Sequence, residues 1–155
     1  MTADIEGHPY IATYWREQGD SIPKYRLVWH DGNQWNTSQI MKRTQSFTLK
    51  GGGTKMIPIS RPRIVADEGK AWLFFRNCER DSKVSMAYTD NLTQRCWQVK
   101  DLTDFSVEAW EPSLDLELWK QQRKIHLFVQ ITHQGDGERT IMVEPTSVYV
   151  LEILP

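Results

Sequence analysis

Arginine is the side chain here whose type and placement point most directly to chemistry. Arg61 and Arg63 stand in the run Ser-Arg-Pro-Arg, Arg16 and Arg26 bracket one polar segment, and Arg76 and Arg80 bracket the start of another. A guanidinium presents a planar fork of donors that matches a carboxylate or phosphate. Clustered guanidiniums therefore need a carboxylate network within the protein or an anionic ligand. Pairing with a nearby Asp or Glu is the expectation for each arginine alone; for the set, it is a ligand face. Glu111 belongs to the same group, and Trp110 before it offers an indole suited to stack on a sugar ring. Tyr14 lies two residues before Arg16 and, in a strand, on the same face.

The remaining reactive residues offer less. His30, in His-Asp-Gly, fits turn chemistry with Asp31. His8 precedes Pro9 in a turn, and His126 alternates with Ile125 and Leu127 as a strand residue would. No Cys or His cluster has metal-ligand spacing, so no cofactor is expected. Gly135-Asp136-Gly137 could hold a structural calcium, but the loop lacks the full oxygen-ligand pattern.

These side chains sit on a chain of 155 residues, the size of one domain, with 39% hydrophobic and 25% charged residues. The formal charge of −1 argues against a nucleic-acid partner. No apolar run approaches the roughly 20 residues of a membrane helix. The N-terminus lacks the basic and apolar regions of a signal peptide. Seven Trp, five Tyr and five Phe suit strands and sugar-stacking surfaces alike.

Strand composition recurs at 9–16, 25–30, 64–67, 71–76, 83–89, 97–102, 124–131 and 148–154, bounded by Gly, Asp, Asn or Pro. Residues 113–122 contain helix formers, but Leu114, Leu116 and Leu118 alternate, which predicts a strand at their start. The chain reads as all-β.

The segments also repeat. 7–16, 69–77 and 123–130 each read turn, then apolar strand, and 25–40 aligns with 83–102. The spacings from Arg16 to Arg76, Asp31 to Asp90 and Trp35 to Trp97 agree within three residues. Four antiparallel strands in a unit of roughly 50–60 residues are the signature of a propeller blade. The expectation is a partial β-propeller of about two and a half blades, over 1–50, 56–104 and 108–155, forming a single domain. The first unit lacks an opening strand and the third lacks room for all four. Open edges then invite self-association. A compact sandwich of about eight strands is the alternative.

In such blades the arginines gather at one end. Arg61 and Arg63 open a first strand, Glu111 opens the next, Arg16 and Arg26 flank one loop there, Arg76 and Arg80 another, and the 132–139 loop with His133 a third. Cys78 falls at that end and Cys96 at the other, about 20 Å apart along a seven-residue strand. A disulfide needs Cα atoms within about 7 Å, so both thiols should be free. Trp15, Trp29, Trp72, Trp97 and Trp119 should pack between blades.

ATYWR, YRLVWHDG-x-x-W, GGGTK-x-IPISRP and DLTDFSVEAWEPSLDLELWK resemble the bacterial neuraminidase-repeat family of carbohydrate-active proteins. The resemblance is to the C-terminal part of polysaccharide lyases similar to ulvan lyases. It implies a seven-bladed propeller in the parent proteins, secreted or periplasmic location, and an acidic polysaccharide as partner. It also implies β-elimination on uronic-acid glycans. A lyase must neutralise the substrate carboxylate, remove the C5 proton and protonate the leaving oxygen. By the resemblance, a tyrosine and an arginine of the first hairpin carry these roles, mapping to Tyr14 and Arg26, with Tyr10 as the alternative tyrosine. The family's use of histidines keeps His30 as a third catalytic candidate. Arg16, Arg61, Arg63, Arg76, Arg80, Trp110 and Glu111 would bind substrate. Part of the lyase catalytic set lies upstream of the region matched here.

Two rival functions stay open. A sialidase-like hydrolase would use the Ser60-Arg61-Pro62 arginine, but it needs intact Ser-x-Asp-x-Gly-x-x-Trp boxes, and Asp31-Gly32-x-x-Trp35 is partial. A non-catalytic glycan-binding module is the other.

Overall fold

The computed structural model describes every residue except Glu138. It is mostly β, in three antiparallel sheets. The first joins β1 (Thr2–Ala3), β2 (Pro9–Trp15), β3 (Lys24–His30) and β4 (Trp35–Gln39) in sequence order. The second joins β5 (Arg63–Asp67), β6 (Lys70–Arg76), β7 (Val84–Thr89) and β8 (Gln98–Asp101) in the same way. The third has β9 (Ser113–Leu114), β10 (Ile125–Gln130) and β11 (Val148–Ile153), with β10 in the middle. Consecutive antiparallel pairing follows from short turns. At 31–34, for example, Asp31 Oδ1 accepts from the amides of Asn33 and Gln34, both at 2.9 Å.

Strand register explains the stacking. In the second sheet Ile64 pairs with Leu73 and Leu73 with Ala87, while Val65 pairs with Trp72 and Phe74 with Met86. Paired residues share a face, so Ile64, Ala66, Leu73, Phe75 and Ala87 point one way and Val65, Trp72, Phe74 and Met86 the other. The first group packs with Tyr10, Tyr25, Leu27 and Trp29 of the first sheet. The second packs with Ile125, Leu127 and Val129 of the third. The middle sheet is thus covered on both faces, which is why β6 reads as an unbroken apolar run, Ala71 to Phe75. Each large side chain buried this way contributes about 1.5–3 kcal/mol.

Two sequence expectations are corrected. The first sheet does have an opening strand: Thr2 and Ala3 pair with Tyr10 and Pro9. Residues 113–122 form only a two-residue strand, then a helix, α1 (Leu116–Gln122). Asp115 caps α1 by accepting from the Leu118 amide at 2.9 Å. Trp119, one helical turn on, is buried edge-on to Trp72 with ring centroids 5.7 Å apart. The alternating leucines lost because Leu116 faces solvent and the core contact goes to Trp119. The third sheet has three strands, and both cysteines are free.

Candidate functional site at the upper strand ends

The sheets stack face to face with their strand ends level. At the end where β5 begins and β6 finishes, here the upper end, the buried Tyr25 hydroxyl lies 2.8 Å from Ser60 O and 3.0 Å from Arg76 O. There too, Glu111 accepts from the Arg61 amide at 2.9 Å and meets its Nε at 3.4 Å, linking the entries to β5 and β9. At the lower end Arg123 Nε lies 3.4 Å from Asp67.

Most of the arginines at the upper end are engaged within the protein. Arg80 Nε lies 2.7 Å from Asp101 Oδ1, which also accepts from Ser85 Oγ at 2.7 Å. Burial acts to raise the Asp101 pKa, but the hydrogen bonds from Arg80 and Ser85 outweigh it and hold it below the usual carboxylate value. Arg26 is buried, pairs with Glu17 at 2.6 Å and stacks over Trp15 at 5.4 Å. Arg63 Nε donates to Pro112 O at 3.3 Å. Arg16 is exposed and has no ion-pair partner among the described residues.

Arg76 differs from these. It is 5% exposed, with Nε donating to Trp110 O and Nη2 to Ile57 O, both at 3.2 Å. Among the described residues no carboxylate comes within ion-pair distance of it. Burial lowers its pKa, while Tyr25, Glu111, Cys78 and Glu108 act in the opposite direction. Two of a guanidinium's five N–H groups are spent on carbonyls. Arg76 lines a cavity of about 330 Å³ together with Cys78, Ser82, Glu108, His133 and Gln134.

Long-range pairing builds that cavity. Glu108, at φ 55°, bridges to Thr132 in parallel, and the Ala109 amide donates to Thr132 O at 2.7 Å. Gln134 Nε2 donates to Lys55 O at 3.3 Å, and the Gly137 amide to Thr54 O at 2.9 Å. Thus the 132–137 loop is tied to the segment after the three glycines, closing a wall over Arg76. Glu108 was not legible in sequence, because its neighbour Thr132 is distant along the chain. Arg43, also not singled out, is buried between Pro23 O at 2.6 Å and Glu79 at 3.5 Å.

The tyrosine and arginine assigned to catalysis do not converge. Tyr14 pairs with Tyr25 and faces the middle sheet, whereas Arg26 pairs with Thr13, one pleat on, and points to the opposite face. Tyr14 packs edge-on to Tyr25 and Phe47, with centroids at 6.3 and 5.7 Å. Burial raises its pKa, Glu111 adds to the rise and Arg61 opposes it. A phenol so held stays protonated at neutral pH, which suits a proton donor better than a base. Tyr10 is at the lower end, donating to Asp4 Oδ2 at 3.0 Å. His30 is there as well, with Nδ1 accepting from the Gly32 amide at 3.1 Å. Along β3 it lies four residues from Arg26, about 13 Å at the strand rise. Trp110 is 4% exposed and its Nε1 donates to Phe128 O at 3.0 Å. Its ring belongs to the core between the second and third sheets, with no free face for a sugar.

Among the described residues no three His, Cys, Asp or Glu are arranged to hold a metal ion, and no helix is long and apolar enough to cross a membrane. No protein-family model matches the chain, and no curated protein matches it.

Proposed function

We propose that this chain is a propeller-type carbohydrate-binding unit that takes an acidic, uronate-containing glycan at its upper end, with Arg76 receiving a carboxylate. The observation that carries this reading is the buried Arg76 guanidinium, without an acidic partner among the described residues, at the wall of an open cavity. A buried charge is costly unless paired, and a ligand carboxylate would supply the missing partner bidentately. The two four-stranded meanders stacked face to face, and the family resemblance, support the propeller reading.

The same cavity supplies parts for elimination. Arg76 would neutralise the carboxylate and so acidify the C5 proton. His133, on the cavity wall, is the group placed to exchange protons. The C5–H electrons would form the C4–C5 double bond as the C4–O bond breaks, and the leaving oxygen would take a proton. The test is to incubate the chain with ulvan and other uronate polysaccharides, measuring binding by calorimetry and unsaturated product by ultraviolet absorbance. Binding that Arg76→Met abolishes in a folded protein, and that carboxyl-reduced glycan lacks, supports the reading. Equal binding of acidic and carboxyl-reduced glycans overturns it. Product that His133→Ala removes without loss of binding supports elimination; binding without product leaves a glycan-binding module.

A hydrolytic reading has one observation in its favour: Glu111 and Arg61 pair at 3.4 Å at the end of the stack where Tyr14 lies, and these are residue types a retaining sialidase uses. Release of a sialoside aglycone with no new double bond would identify it.

A further inference from the structure

A second cleft opens at the upper end, between the end of β2 and the segment that follows β4. It measures about 450 Å³ and shares no lining residue with the cavity at Arg76. Tyr14, Pro23, Phe47 and Leu49 give it apolar walls, and Arg16 and Lys50 give it charge. A mostly apolar lining with a few charged groups is what small-molecule sites have in common. The walls are held from behind. Buried Arg43 donates to Pro23 O at 2.6 Å and lies over the Phe47 ring at 5.6 Å. Tyr14 stands edge-on to both Phe47 and buried Tyr25. The Lys50 amide donates to Thr48 Oγ1 at 3.1 Å in a local turn. The cleft is therefore formed before a ligand arrives, which lowers the cost of binding.

The charge around this cleft is one-sided. Between Asp31 and Asp67 the sequence holds no Asp or Glu, yet it carries Lys42, Arg43, Lys50, Lys55, Arg61 and Arg63. Glu17 and Asp20, the acids that follow Arg16, are paired with Arg26 and Lys24, each at 2.6 Å. Arg16 and Lys50 are exposed, and among the described residues neither has an ion-pair partner. A ligand here meets rigid apolar walls and two uncommitted cations. Sugar hydroxyls would find little, because no Asp, Glu, Asn or Gln among the described residues lines the cleft to take them.

We propose that this cleft binds a small aromatic anion, an aryl carboxylate, with its ring against Tyr14, Phe47, Pro23 and Leu49 and its carboxylate on Arg16 and Lys50. Ring and charge then each find a complementary partner. The planar guanidinium of Arg16 matches a carboxylate in fork geometry, and Lys50 adds a second positive charge. The ring leaves water for the apolar walls. The proposal stands independently of the glycan reading, which uses a different cavity and a sugar ligand.

Titration followed by backbone amide NMR shifts tests it, with benzoate as the probe. Benzyl alcohol supplies the ring without the charge, acetate the charge without the ring, and glucuronate the charge on a sugar. Benzoate should saturate a single site with a dissociation constant of about 1 mM or below, shifting the amides of residues 15–16 and 47–50. Benzyl alcohol, acetate and glucuronate should each bind there more weakly. Arg16→Met and Lys50→Met, both at exposed positions and checked for folding by the same spectra, should each weaken benzoate about fivefold. No saturable shift at these amides up to about 10 mM benzoate overturns the proposal. Benzyl alcohol or acetate binding as tightly as benzoate overturns it, since ring or charge alone then suffices. Glucuronate binding more tightly than benzoate overturns it in favour of a further sugar subsite. Benzoate binding that neither variant weakens overturns the assignment of its carboxylate to Arg16 and Lys50.

Discussion

Tyr25 ties the first sheet to the second through a single buried hydroxyl, placed between the carbonyls of Ser60 and Arg76. Tyr25→Phe should cost about 1–3 kcal/mol in denaturant unfolding, because a buried acceptor loses its donor while the ring packing stays. Glu79 is a second such point. It faces buried Arg43 and accepts from the amides of Thr44 and Gln45 at 3.0 and 2.8 Å. Glu79→Ala should cost about 3–5 kcal/mol, since it strands a buried guanidinium, whereas Arg61→Ala, an exposed pair, should cost less than about 1 kcal/mol. Asp4 supplies a pH signature. Burial acts to raise its pKa, but hydrogen bonds from the His8 amide, Tyr10 and the His8 ring outweigh it and leave it depressed. A depressed carboxylate contributes stability above its unfolded pKa, near 3.9, and loses it as pH falls through the folded value. Asp4→Asn should therefore flatten the acid limb of the stability profile below about pH 4, read by thermal unfolding across pH.

Helix α1 illustrates how a local pattern can mislead. Leu114, Leu116 and Leu118 alternate like a strand, yet Asp115 is a capping residue and Trp119 lies at the helical spacing from it. The cap and the buried indole together outweigh the alternation. Asp115→Ala should lower stability by about 1 kcal/mol, measured by denaturant unfolding. β6 shows the reverse case. Its continuous apolar run was legible as a strand, but not that both faces would be covered. Phe75→Ala and Phe74→Ala open cavities on opposite faces of the same strand, and each should cost about 3–5 kcal/mol.

Taken as a molecule, the chain is a stack of three sheets whose strand ends are in line, so loops distant in sequence share one surface. Arg61, Arg76, Arg80, Glu111 and His133 all lie at the upper end of that stack. The repeat did not separate the arginines that have a carboxylate from those that, among the described residues, have none. Arg80, Arg26 and Arg61 have carboxylates; Arg76 has carbonyls and a cavity. On the proposed reading, exchange of Arg76 for Met should remove glycan binding, while exchange of Arg80 for Met should mainly loosen the Asp101 contact and leave binding within a fewfold, read by calorimetry.

The amino-acid sequence determined what is local: where most strands run, where they turn, and the order in which neighbours pair. Turn residues and period-two patterns act over a few residues, so they can be read from one chain. Tertiary packing decided which face each strand presents and which groups meet across long separations. Tyr14 and Arg26 look like partners on one hairpin, and the pleat turns them apart. Trp110 looks like a surface ring, and the third sheet buries it. Glu108 and His133 line one cavity with Arg76, and the pairing of Glu108 with Thr132 brings their segments together. Such contacts depend on sheet register and stacking, which are set by how several apolar faces are buried together rather than by any one segment.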